Sequence, residues 1–304
     1  MRSPQIDVAI NLDQVRASAE AIRAKTRVGL IAVVKADAYG HGAPAIGDAL
    51  GSVVDEFAYF RIEEARELRR PGLTLGPPDG DPEEYRALRV RPAIHTPEAA
   101  ARFKGQRVAI KVDAGMQRFG CPPEELDDLV ARCDVADYFA HTTTMEEVAR
   151  LRAACTGRGR PMHAAATNLL DQPETWLDAV RPGLALYRGA VRVTARLSSV
   201  RDTNGPIGYT GVEYPRVGVI LAGYSNFVRP GPVLVNGRPQ RILESGMNTS
   251  YISADPRDAV GDEVVLLGDG LSEEALAKVF DSRPHEILCR YTSMGPRRYV
   301  TARS

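Results

Sequence analysis

Short apolar runs and longer amphipathic stretches alternate along the first two-thirds of the chain. The runs at 31–35, 55–60, 73–76, 91–94, 107–113, 136–141, 160–164 and 179–184 have the length and β-branched content of buried strands. Between them, apolar residues recur at helical spacing, as in 62–68, 97–103, 123–130 and 145–154. Pro123 ahead of Glu124 and Glu125, and Thr144 ahead of Glu146 and Glu147, are good helix starts. Eight strands alternating with helices predict an α/β fold, a TIM-like (β/α)8 barrel over residues 10–190. That span is short of the ~250 residues typical of such barrels, so the helical layer must be trimmed. Gly72, Gly76, Pro77, Pro78, Gly80 and Pro82 leave no room for a full helix there.

Past residue 190 the period changes. Val191, Val193, Ala195 and Leu197 alternate with polar residues, and short runs follow at 217–221, 233–235, 250–252 and 264–267. Asn236-Gly237 marks a tight hairpin turn. Ser272 followed by Glu273 and Glu274 opens a short helix over 272–280. A C-terminal β-rich domain is therefore expected over 191–304, with residues 1–9 joining it.

Composition narrows the class. The sequence is 44% hydrophobic and 26% charged with a formal net charge of zero, which fits a soluble globular protein and argues against a nucleic-acid footprint or a polybasic membrane anchor. No apolar run is long enough to span a bilayer, and the start lacks the apolar segment of a signal peptide. Cys121, Cys133, Cys155 and Cys289 form no CxxC pair, so they read as reduced thiols, no metal site is expected, and a cytoplasmic location follows.

The candidate chemistry begins at Ile31-Ala32-Val33-Val34-Lys35-Ala36-Asp37-Ala38-Tyr39-Gly40-His41-Gly42. A lysine ending a strand often just points to water. At the mouth of an apolar cavity it can instead lose its proton and attack a carbonyl, forming a Schiff base. The stretch as a whole resembles the cofactor-lysine motif of the alanine racemases, fold-type III enzymes that use pyridoxal 5'-phosphate (PLP). The resemblance implies that Lys35 carries PLP and is one of two catalytic bases. It places Tyr39 against the cofactor phosphate, where the alternative is an aromatic packed at a barrel rim.

Further blocks carry the same resemblance. Lys111-Val112-Asp113-Ala114-Gly115-Met116-Gln117-Arg118-Phe119-Gly120 is similar to the family's Lys-Val-Asp-Thr-Gly-Met-x-Arg-x-Gly. It implies that Arg118 contacts the PLP phenolic oxygen and the substrate carboxylate, a task that suits a planar cationic fork. Lys111 matches a lysine carbamylated in some members. His141 matches a histidine beside the cofactor ring, although a core histidine would fit the strand end as well. Arg181-Pro182-Gly183-Leu184-Ala185-Leu186-Tyr187 resembles Arg-Pro-Gly-Ile-Ala-Leu-Tyr, which sets Arg181 at the pyridine nitrogen and the Gly183 and Leu184 amides at phosphate. An arginine there can only donate, which leaves the ring nitrogen unprotonated and the cofactor a weaker electron sink. Gly223-Tyr224 matches the glycine-tyrosine pair that supplies the second base, from the partner subunit. Met247 matches a residue whose amide meets the substrate carboxylate. Tyr299, in a Pro-Arg-Arg-Tyr ending, matches a tyrosine that contacts phosphate and narrows the substrate mouth.

The chain departs from that pattern at three points. Thr167 keeps a hydroxyl for phosphate, but Ala166 stands where the family has asparagine. Asn248 replaces an aspartate, and Glu244 stands where arginine is usual, both expected at the substrate mouth. The implied activity is a PLP-dependent amino-acid racemase, alanine first, acting as a homodimer with shared sites. The alternatives are a racemase of serine, lysine or arginine, decarboxylation or aldol cleavage on the same scaffold, and a non-catalytic PLP-binding protein.

Overall fold

The computed structural model describes residues 5–301, so the outermost positions of the expected second domain, 1–4 and 302–304, lie outside the described residues. The chain divides into two compact units. Among the described residues, one comprises Val15–Ala38 and Gly42–Leu186; the other comprises residues 5–14, Tyr39–His41 and 187–301.

In chain order the first strands are β1 (Ile6–Asn11), β2 (Gly29–Val33), β3 (Glu56–Tyr59), β4 (Gly72–Thr74), β5 (Val90–Arg91), β6 (Ala93–Ile94), β7 (Arg107–Lys111), β8 (Asp134–Phe139), β9 (Met162–His163) and β10 (Ala179–Val180). All but β1 form one parallel sheet in the order β5-β4-β3-β2-β10-β9-β8-β7-β6. Only Pro92 separates β5 from β6. Proline has no N–H to give to a ladder, so the strand is interrupted there. Its carbonyl still accepts from the Ala109 amide at 3.1 Å. Because β5 pairs with β4 and β6 with β7, strand 90–94 joins the two ends of the sheet into a barrel of eight strands. Each lies where an apolar run was expected. Tyr59, Leu73, Ile94, Ile110, Phe139 and Val180 are buried, as parallel strands covered on both faces require.

The outer layer is thin, for local reasons. The helix between β4 and β5, Pro82–Leu88, starts only after the Gly/Pro stretch, capped by Asp81. The link from β9 to β10 holds only two 3-10 turns, Thr167–Leu169 and Pro173–Thr175. The longest connection helix after β2, Met145–Cys155, is fixed at its start by Thr144 and Glu147 in a reciprocal capping box.

The other unit is an eight-stranded sheet built from β1 with β11 (Val191–Asp202), β12 (Arg216–Ile220), β13 (Gly231–Val235), β14 (Arg238–Ser245), β15 (Ser250–Ser253), β16 (Glu263–Leu267) and β17 (Arg297–Val300). The N-terminal strand β1 runs antiparallel to β11, Val8 opposite Val193, and parallel to β17, Ile10 opposite Tyr299. Asn236 and Gly237 both take positive φ in the β13–β14 turn, as a two-residue hairpin demands. Ser272 caps the helix Glu273–Val279 by accepting from the Ala275 amide at 3.2 Å. The helix Pro284–Tyr291 and strands β1, β14 and β17 were not legible as elements; β14 reads Arg-Pro-Gln-Arg over its first half, with no strand-like pattern.

Candidate active site

Lys35 follows β2 at the C-terminal end of the barrel, the end that carries the chemistry in this architecture. The chain then turns left-handed. Ala36, Asp37, Ala38 and Tyr39 all have φ between 53° and 57°. Such a run of non-glycine residues is costly, of order 1–3 kcal/mol each, and persists only where surroundings enforce it. Here the Ala36 amide donates to Glu64 at 2.8 Å, and Asp37 accepts from the Ala43 amide at 2.6 Å. Lys35 is thus held half-buried at the head of a strained turn.

Four cations share this barrel end. Lys111 is the last residue of β7, buried, with its ammonium donating to the Leu75 carbonyl at 2.7 Å and lying 5.1 Å from the centre of the Phe119 ring. Burial, then the charges of Arg181, Arg118 and Lys35, push its pKa down to about 7. Arg118 rides on a tight loop. Asp113 accepts from the Gly115 and Gln117 amides at 2.9 and 3.1 Å, and Cys121 closes the loop onto Lys111 and Asp113. Gly120 is required there: its φ is 141°, and a Cβ would lie 2.4 Å from the Asp113 nitrogen. The Arg118 guanidinium makes no hydrogen bond or ion pair with another described residue. His141 follows β8. Burial and the same cations lower its pKa to about 4, so it is neutral at physiological pH.

Arg181 follows β10 and is 3% exposed. It donates to the carbonyls of Ala140 and Ala164 and stacks on Phe139, 5.1 Å from the ring centre. Its Nε–H is buried without a partner. Burial lowers its pKa to about 10, still far above neutrality. Phe139 stacks in turn on His163, ring centres 5.3 Å apart and nearly parallel. His163 Nε2 lies 3.4 Å from Asp137, which also binds Arg91 at 2.7 Å. Burial alone would raise the Asp137 carboxyl, but His163 and Arg91 outweigh it and hold it ionised. His163 and Asp137 escaped the sequence reading as site residues. The available signal was a charge inside the apolar run 136–141. The Thr167 hydroxyl accepts from the amides of Gly183 and Ala185 at 3.3 and 3.1 Å, so these two loops meet.

The β-rich unit carries the remaining residues. Tyr224 opens a 3-10 turn whose amide donates to the Gly246 carbonyl at 2.8 Å. Ser225 binds the Met247 carbonyl through its amide at 3.1 Å and its hydroxyl at 2.7 Å. Gly223 permits this contact, since a Cβ would sit 2.1 Å from the Gly246 oxygen. Tyr224 and Met247 are thereby locked together, 56% and 58% exposed. Asn248 accepts from the Ser225 hydroxyl at 3.1 Å. Tyr299 is exposed on β17. Tyr39 packs its ring 5.1 Å from Tyr187, and burial pushes its pKa up to about 12. Glu244 does not line an opening as expected. It is buried and accepts from the Thr210 hydroxyl and from the amides of Tyr209 and Thr210, both at 2.8 Å. Its charge holds a turn, which removes the reason to expect a cationic substrate side chain.

The barrel end fits PLP. Lys35, Lys111, Arg118 and Arg181 gather around neutral His141, and the carboxylate of Asp113 offsets them only in part. An unpartnered Arg181 Nε–H and an unengaged Arg118 fork are the donors an anionic, heteroaromatic ligand needs.

Comparison with known proteins shows the family. A family model for the alanine racemase N-terminal domain matches residues 10–191. The alanine racemase of Photobacterium profundum is 30% identical over 325 aligned positions, covering 87% of this chain and 90% of the relative. The biosynthetic alanine racemase of Salmonella typhimurium is 30% identical over 350 positions, covering 95% and 96%. Those 350 positions exceed the 304 residues of this chain, so the relative carries segments that are absent here. Biosynthetic alanine racemase from Pseudomonas aeruginosa superposes with a TM-score of 0.89 at 26% identity, over 98% of this chain and 100% of that one. Alanine racemase from Bartonella henselae, solved with covalently bound pyridoxal phosphate, superposes at 0.88 with 22% identity, over 97% and 99%. The chain therefore belongs to the alanine racemase family, whose members are PLP-dependent isomerases.

Proposed function

We propose that this enzyme interconverts the enantiomers of alanine, with Lys35 and Tyr224 as bases on opposite faces of the α-carbon and Tyr224 contributed by a second copy of the chain. The observation that carries the reading is buried Arg181 with its free Nε–H. PLP, when bound, supplies the electron sink that acidifies the α-proton. Arg181 would meet the ring nitrogen as a donor only, which would keep that sink weak and favour return of the proton over decarboxylation or transamination. Lys35 removes the proton from one enantiomer, and the Tyr224 hydroxyl delivers one from the other side; the roles exchange in the reverse direction. Arg118 grips the substrate carboxylate, helped by the Met247 amide. Tyr39, Thr167, Gly183, Leu184 and Tyr299 would hold the phosphate, and His141, kept neutral, would add no further charge beside the ring. Lys111, with its lowered pKa, has the free amine that reacts with carbon dioxide, and its carbamate would orient Arg118. The exposed Tyr224–Met247 platform supports a homodimer, since these side chains need a partner's cover. A cytoplasmic location accords with four unbridged cysteines.

The decisive experiment is borohydride reduction of the holoenzyme with peptide mapping, together with solvent deuterium uptake at the α-carbon of alanine, serine, lysine and arginine. Label on Lys35 and fastest exchange with alanine are expected. Label elsewhere, or product without α-deuterium, rejects the reading.

A further inference from the structure

The other end of the barrel carries a second concave site. The N-terminal ends of β5, β7 and β9 surround an open cleft of about 520 Å³, within the usual size range of small-molecule sites. Arg86, Arg89, Arg91 and Arg107 line it, with Asp137 as the acid among them. Arg86 is paired with Glu83. Arg89 and Arg107 have no side-chain hydrogen bond or ion pair with a described residue. The floor is the ion pair of Arg91 with Asp137, backed by Glu56 at 2.7 Å and His163. Within that floor two buried atoms lack partners, Nε of Arg91 and Oδ1 of Asp137. One is a donor and the other an acceptor, and leaving both unmet is costly.

We propose that this cleft is a binding site for a small hydroxylated oxyanion, either a phosphate ester of a polyol or a hydroxycarboxylate. The guanidinium forks of Arg89 and Arg107 match the planar or tetrahedral oxyanion. Both floor atoms are covered in the empty cleft, and where the Arg91 and Asp137 side chains part to admit it, a hydroxyl group can accept from Arg91 Nε–H and donate to Asp137 Oδ1. The site is separate from the cofactor end, since it opens at the starts of the strands rather than their ends.

The test is calorimetric titration of the PLP-loaded enzyme, whose own phosphate subsite is filled, with glycerol 3-phosphate, malate, ethyl phosphate and inorganic phosphate. Saturable binding of glycerol 3-phosphate or malate is expected at about 1 mM or tighter. Whichever of the two binds identifies the oxyanion. Ethyl phosphate, lacking the hydroxyl, should bind at least about tenfold more weakly than glycerol 3-phosphate if the phosphate ester is the ligand. The double variant Arg89→Gln/Arg107→Gln, altered only at exposed positions, should weaken binding about tenfold or more while racemisation is unchanged. No saturable binding up to about 10 mM, or equal affinity in the double variant, overturns the proposal.

Discussion

At the scale of single residues, burial and neighbouring charge decide what each group can do. Lys111 has a pKa near 7 in the fold, against about 10.4 in an unfolded chain. Between those values the unfolded chain binds more protons at this position. Stability of the cofactor-free protein should therefore rise with pH across about 7 to 10. Urea midpoints taken through that window should show the slope, and Lys111→Met should flatten it. Tyr224 is a different case. It is half-exposed on a locked turn, with its hydroxyl committed to no described residue. Tyr224→Phe should lower racemisation by about 10²–10⁴-fold, the usual contribution of a positioned acid or base. The cofactor should still load onto Lys35, because the barrel residues are untouched. Loss of cofactor absorption in this variant would show that Tyr224 is structural instead.

At the scale of elements, the site depends on turns whose backbone no ordinary residue tolerates. The loop that presents Arg118 closes only because Gly120 lets Asp113 approach. The Tyr224 turn meets Met247 only because Gly223 has no side chain. Glu244 plays a similar part for the turn Gly208–Thr210, where a Cβ on Gly208 would lie 2.4 Å from its carboxylate. Its hydrogen bonds, first that from the Thr210 hydroxyl, hold the carboxyl below its ordinary pKa. That contribution is full above about pH 4.3, the ordinary value for glutamate, and is lost as pH falls through the lowered one. Glu244→Ala should therefore cost about 1–3 kcal/mol. Amide exchange at Tyr209 and Thr210 should quicken in the variant, with the barrel amides unaffected. Unchanged exchange there would show that other contacts hold the turn.

At the scale of the whole molecule, the sharing of sites proposed above makes activity a property of pairs. Lys35→Ala and Tyr224→Phe should each disable a chain on their own. Mixed and re-equilibrated, they should recover about a quarter of native activity, because half of the dimers are then mixed and each holds one intact site. No recovery would mean that each chain completes its own site. Much of this was legible in the sequence. The eight apolar runs, the Lys35, Lys111–Gly120 and Arg181–Tyr187 blocks and the Asn236-Gly237 hairpin depend on local pattern, which a linear chain displays directly. The strand at 90–94 shows where pattern stops: its apolar residues are visible, but only the pairing of its two halves to opposite neighbours shows that it closes the barrel. Glu244 shows the same limit, since its charge suggested an opening and its partners, 34 and 35 residues away, bury it. So the sequence by itself determined the barrel strands, the β-rich character of the second unit and the family. Tertiary structure alone decided which charges are met and which are left for a ligand. Proton affinity, burial and unpaired donors arise from groups distant along the chain, and no local pattern encodes their meeting.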